Sequence, residues 1–212
     1  VIKEYGTDAI RIALCVSGPQ SREIDLDRRR FEEFKNFINK IWNGARFVFM
    51  NLKGITSEQL SEGTDEKLLK LEDRWILSML NTTIKEVNKA LSEYALDQAA
   101  LKAYNFFWKE FCAYYIEISK PVLFGDSPEK LNKQKILVTV MTNVIRLLHP
   151  IAPFITEELF QLLKKCFPNL SPSESDPYTA DTIEALLSPA CIVAKYPSVI
   201  REDDINEQIN ES

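Results

Sequence analysis

The stretch from Asp27 to Lys53, DRRRFEEFKNFINKIWNGARFVFMNLK, constrains the fold more than any other part of the chain. Wound at about 100° per residue, it separates into two faces. Phe34, Phe37, Ile38, Ile41, Trp42, Ala45, Val48, Phe49 and Leu52 fall on one side, an apolar surface wide enough that other helices must cover it. Asn36, Asn39, Lys40, Asn43, Arg46, Phe47 and Met50 fall on the other. Phe47 interrupts this polar face. A ring set among amides and cations suits stacking on an unpaired nucleobase while the amides read its edge. The competing reading is a ring that merely covers a neighbouring loop or helix, because single exposed apolar residues are common. Asp27 is placed to cap the helix, Glu32 and Glu33 lie near its positive end, and Lys53-Gly54 stops it.

The segments on either side read as further helices. Thr7 is a plausible cap for a short apolar helix over 8–15, ended by Ser17-Gly18-Pro19, and 21–26 reads as a polar loop. Residues 56–64 are rich in Ser, Glu and Gly and read as surface loop. A helix is expected over 65–92 and another over 98–120, capped by Asp97 and stopped by Pro121. Tyr104, Phe107, Trp108, Phe111, Tyr115 and Ile118 line one face of the latter. Phe106 breaks its polar side as Phe47 does in the helix over 27–53, so the two rings could flank one base. A largely buried helix over 129–148 ends at His149-Pro150, and Pro153 opens the next, over 154–166. After a Ser/Pro loop, 178–187 reads as a short helix, 191–194 as a brief strand, and 201–212 as a frayed acidic tail. The expected fold is an all-α antiparallel helical bundle with at most one short C-terminal strand. Its expected units are a linker over 1–26, the bundle over 27–190, and a short strand with a polar linker over 191–212.

Composition narrows the function. With 45% hydrophobic and 27% charged residues the chain is an ordinary globular one, and no apolar run approaches a membrane span of about 20 residues. Cys15, Cys112, Cys166 and Cys191 are scattered without CxxC spacing, which argues against zinc or a disulfide framework and suits a cytoplasmic protein. The net charge of −5 speaks against an indiscriminate nucleic-acid binder, yet seven basic against three acidic residues put 27–53 at +4 and the remainder at −9. That asymmetry fits local, selective contact with RNA. Phosphate-binding and nucleophile motifs are missing. His149 is the only histidine, at a helix end where packing or capping suits it. Glu157 and Glu158 are adjacent and point apart. No catalytic or metal site is expected. A helical protein-interaction module, with Phe47 and Phe106 anchoring a partner helix, is the alternative from another class.

Five blocks carry a resemblance: EYGTDAIRIAL at 4–14, FKNFINKIWNGARFVFMNL at 34–52, LEDRWILSMLN at 71–81, FFWKEFCAYYIEISKP at 106–121 and HPIAPFITEELFQ at 149–161. Through them the chain resembles the anticodon-binding region of class I aminoacyl-tRNA synthetases, the valyl-tRNA synthetases in particular, which the fourth block separates from their siblings. The resemblance implies that the HIGH and KMSKS signatures, the ATP and Mg²⁺ chemistry and the editing domain lie before Val1, and a coiled coil beyond Ser212. By that implication the chain alone aminoacylates nothing, binds no cofactor, and is a monomer whose partner is the tRNA-Val anticodon loop rather than DNA or a membrane. The roles it implies fall on Arg29 (loop backbone), Lys40 and Arg46 (base or phosphate) and Phe47 (base stacking), with Asn43 suited to a base edge. Arg28, Arg30, Asn36, Asn39, Phe106 and Lys109 are weaker candidates.

Overall fold

The structure, a computed structural model, describes residues 1–17 and 28–206. In chain order its helices are α1 (Ile2–Tyr5), α2 (Thr7–Ser17), α3 (Arg28–Asn51), α4 (Ser57–Ser61), α5 (Leu71–Ser92), α6 (Leu96–Asn105), α7 (Ile116–Phe124), α8 (Lys130–Leu148), α9 (Pro153–Cys166) and α10 (Pro177–Leu187). A π-helical stretch, Phe106–Tyr115, joins α6 to α7 without a break in helical backbone. No strand occurs among the described residues.

The bundle is assembled around α8, which packs against α3, α5, α6, α7, α9 and α10. Every residue from Asn132 to Leu148 is buried, the polar ones included. Such burial is costly unless each polar group finds a partner. Asn132 exchanges hydrogen bonds with the backbone of Asp65, and Lys135 donates to the Gly63 carbonyl. Arg146 and Asn143 both donate to Asp181 of α10. Lys133 is fully buried; its ammonium lies 2.6 Å from Asp73 and 2.7 Å from Glu72 at the start of α5. These bonds tie both loops and neighbouring helices to the central one.

Residues 1–17 share the same core. α2 packs on α3 and α6, and buried Asp8 accepts from the backbone N–H groups of Phe154 and Ile155, at 3.3 and 2.7 Å. An acid from one helix therefore caps the N-terminus of another, as the helix dipole favours. Arg11 donates to the Ile151 carbonyl at 3.0 Å. α2 begins at Thr7 itself, next to Gly6 at φ 85°.

Several boundaries depart from the sequence expectation. The polar loop over 21–26 and the Asp27 cap lie outside the described residues, as does the tail beyond Asn206. The supposed loop over 56–64 contains α4, whose capping box pairs Thr56 with Gln59. The helix expected from Asp65 begins at Leu71; Asp65 caps only a 3₁₀ turn, Glu66–Leu68, and Asp73 bonds the Lys70 N–H at 2.9 Å. Pro121 does not stop its helix, which continues to Phe124. The strand expected over 191–194 is a 3₁₀ turn, Cys191–Val193. The tail is pinned at least to Asn206: Asn81 accepts from the N–H groups of Ile200 and Arg201, and Tyr178 donates to Asp204 at 2.5 Å.

Candidate nucleic-acid interface

The inner face of α3 is as the periodicity predicts: Phe34, Phe37, Ile41, Ala45, Val48 and Leu52 are buried. Gly44 adds a close approach, since a Cβ there would lie 2.9 Å from the Phe107 ring and 3.1 Å from the Cys112 sulfur. α3 and the π stretch therefore touch almost backbone to ring. Trp42 corrects the expectation, being 43% exposed at the edge of the inner face.

On the outer face Asn36, Asn39, Asn43, Arg46 and Met50 are exposed, and Lys40 is half-buried. Arg28, Arg29 and Arg30 are exposed at the opposite end of α3, where Arg30 donates to the Ser17 hydroxyl at 2.9 Å. Eighteen residues of helix put Arg29 about 27 Å from Phe47. The arginines and the ring therefore cannot meet one nucleotide, whereas Lys40, Asn43, Arg46 and Phe47 lie within about two turns.

Phe47 is half-buried, its ring edge-on to Phe124 at 6.4 Å between centroids. Part of it does cover a neighbour. That neighbour is itself 70% exposed, so the two rings form one ledge beside the polar stripe. Phe124 was missed because Pro121 read as a helix stop, which left it in a turn. Phe106 is a clear correction: it is 2% exposed and cannot stack on anything outside the protein. The cause is the π stretch. Bonding from i to i+5 lengthens each turn, so inward positions recur at four and five residues, giving Phe106, Phe107, Phe111, Tyr115 and Ile116. A 3.6-residue wheel carried through this region puts Phe106 outside. Lys109, in contrast, is exposed as expected.

Between α3 and the π stretch stands an aromatic column. Buried Phe37 meets Tyr104 at 4.4 Å, Tyr104 stacks on Trp108 at 5.8 Å and 12°, and the Lys40 ammonium lies 3.8 Å over the Trp108 ring. Burial pushes the nearby Cys112 thiol up to about 12, with Lys40 acting weakly the other way, so it is inert as a nucleophile. On the opposite flank of α3, Trp42 and Phe154 border a cleft of about 370 Å³ lined also by Tyr5 and Asn39. His149 packs at the end of α8, bonded to the Thr156 hydroxyl at 2.8 Å, and burial lowers its pKa. Among the described residues, no group of three or more His, Cys, Asp or Glu side chains is arranged to hold a metal ion.

The family described as the anticodon-binding domain of tRNA ligase matches residues 73–211. The chain belongs to that family. This anticodon-binding domain is 58% identical over 95% of its length to the valine–tRNA ligase of Protochlamydia amoebophila, and 45% identical over its full length to that of Chlamydia abortus. It spans 23% of the length of each. In fold it is similar to the LeuRS of Agrobacterium radiobacter K84, solved as a LeuRS–tRNA–LeuAMS ternary complex, with a TM-score of 0.52 at 18% identity; the match covers 97% of this domain and 21% of that chain. α3, with the outward stripe, lies before the matched family segment but within the span shared with the valine–tRNA ligases.

Proposed function

We propose that this domain recognises the anticodon loop of tRNA-Val on behalf of a longer, cytoplasmic and monomeric valine–tRNA ligase. In that enzyme ATP and Mg²⁺ would serve the attachment of valine elsewhere in the polypeptide, and no residue here is assigned to either. The observation that carries the reading is the Phe47–Phe124 ledge set directly beside Lys40, Asn43 and Arg46 on one outward stripe. An unstacked loop base would lie against Phe47, with Phe124 bracing the ring from the side. The Asn43 amide has both donor and acceptor for a base edge, while Lys40 and Arg46 supply donors to a base or phosphate. Arg28, Arg29 and Arg30 lie too far along α3 for that nucleotide and suit the backbone of a neighbouring stretch of RNA. Lys109, Asn36 and Asn39 extend the polar surface; Phe106 is removed from it by burial.

Base–aromatic stacking contributes about 1–3 kcal/mol per base. Phe47→Ala is therefore expected to weaken binding of a tRNA-Val anticodon stem-loop at least about fivefold, with the helical circular dichroism of the protein unchanged. Equal affinity of a folded Phe47→Ala variant would overturn the stacking assignment. Arg46→Ala is expected to lower the salt slope of binding if Arg46 meets a phosphate.

A further inference from the structure

The Lys40 side chain is not free to sweep solvent. Its ammonium lies 3.8 Å over the Trp108 ring, which stacks on Tyr104, which in turn packs on buried Phe37. The column runs from core to surface, and each member is fixed by the one beneath it. Among the described residues no carboxylate is paired with Lys40. An indole face is the best aromatic seat for a cation, and unlike a carboxylate it leaves the net positive charge uncancelled. A lysine ordinarily gives up considerable rotamer freedom when it engages a ligand. One already held has less to lose.

We infer that Trp108 is a positioning residue for RNA recognition: its indole holds the Lys40 ammonium at the rim of the Phe47 ledge. The inference rests on the proposed anticodon reading. Lys40 lies seven residues, about 10 Å of helix axis, from Phe47 on the same side of α3, with Asn43 between them. The seat exists because of the π stretch. With Phe106, Phe107, Phe111 and Tyr115 turned inward, Trp108 is left half-buried at the margin, stacked on Tyr104 and within reach of Lys40 on α3. The end of the stretch is locked from inside by Tyr115, whose hydroxyl donates to Asp73 at 2.8 Å. Trp108 thus serves recognition through Lys40, without contact to the RNA.

The test is a double-mutant cycle on this chain, read by anisotropy of a labelled tRNA-Val anticodon stem-loop at several salt concentrations. Lys40→Ala should weaken binding and lower the salt slope by about one in the wild-type background. Trp108→Leu should weaken binding about threefold to fivefold, and in that background Lys40→Ala should cost markedly less. Trp108→Phe, which keeps an aromatic face, should restore most of the affinity. The seat itself is read without RNA: the upfield ring-current shift of the Lys40 ε-methylene protons should vanish in Trp108→Leu and persist in Trp108→Phe. Additive effects of the two substitutions, or a Lys40 shift unchanged in Trp108→Leu, would overturn the inference. So would a Trp108→Leu defect that persists undiminished in Lys40→Ala, since Trp108 would then be touching RNA itself. If Lys40→Ala alone changes nothing, the positioning role is refuted; Phe47→Ala then decides separately whether the anticodon reading stands.

Discussion

Replacing Lys133 by Met removes the one cation from a charge cluster sealed inside the bundle. Both Lys133 and Asp73 have fully inaccessible side chains, while Glu72 keeps about a quarter of its surface in water. Loss of the ammonium strands the Asp73 carboxylate, which among the described residues retains the Tyr115 hydroxyl and the Lys70 N–H as donors. Breaking a buried pair by removing one partner costs about 3–5 kcal/mol. The surviving donors and the partly exposed Glu72 put the expected loss at the lower end, about 3 kcal/mol. At about 2–4 °C per kcal/mol for a chain of this size, the melting point should fall by about 6–12 °C. Urea unfolding followed by circular dichroism should show the midpoint moving down with the m-value unchanged. Adding Asp73→Asn to Lys133→Met should recover part of the loss, because the stranded charge is then gone. A single-variant loss below about 1 kcal/mol, or no recovery in the double variant, would refute the reasoning.

Three further outcomes are expected. Gly44→Ala should destabilise the protein by about 1–3 kcal/mol despite alanine's better helix propensity, because the added methyl meets the buried Phe107 ring at 2.9 Å; a stabilised variant in urea would contradict the close packing of α3 on the π stretch. His149 is held below its ordinary 6.5 chiefly by burial, with Glu157 and Asp8 pulling weakly upward. The unfolded chain therefore binds the proton more readily, and stability should decline as pH falls below about 6.5 toward the folded value. The ring-proton titration should show a midpoint below 6.5, and His149→Asn should flatten the stability change between neutral pH and pH 6. Glu72 works the same way lower down. Burial alone would raise it, but the hydrogen bond from Lys133, a backbone N–H and the charges of Lys133 and Lys70 together outweigh burial and hold it below 4.5. Its contribution is therefore present above about 4.5 and lost as pH falls through the lower folded value, which Glu72→Gln should make visible as a shallower acid limb of the unfolding curve.

How far the sequence could be read differs from element to element, for physical reasons. The inner face of α3, the start of α9 at Pro153 and the break at His149-Pro150 depend on local periodicity and backbone chemistry, which a single chain displays. The outward stripe follows from the same wheel, so Asn36, Asn39, Asn43 and Arg46 are exposed as read. Phe106 is misread, because a π-helical turn is selected by packing against α5 and α3 and leaves no period that a 3.6-residue wheel recognises. Phe124 was lost to the rule that proline ends helices; here the packing of Ile116, Ser119 and Leu123 offsets the one backbone bond that Pro121 removes. Trp42 sits on the border between faces, where a few degrees decide burial. The buried lysines and arginine of α8 were illegible because their partners, Glu72, Asp73, Gly63 and Asp181, are remote in sequence. The 191–194 segment has β-branched residues but no neighbouring strand to pair with among the described residues, so it closes into a turn.

The measurement that tests the central claim most directly is the affinity of this chain, by fluorescence anisotropy at low salt, for two anticodon stem-loops that differ only in the middle anticodon base. The account predicts tighter binding of the tRNA-Val loop than of the altered one, with the preference lost in Phe47→Ala and reduced in Phe124→Ala. Equal binding of both loops by the wild-type chain, with the same salt dependence, would contradict it and leave the α3 stripe as an electrostatic surface without a reading role.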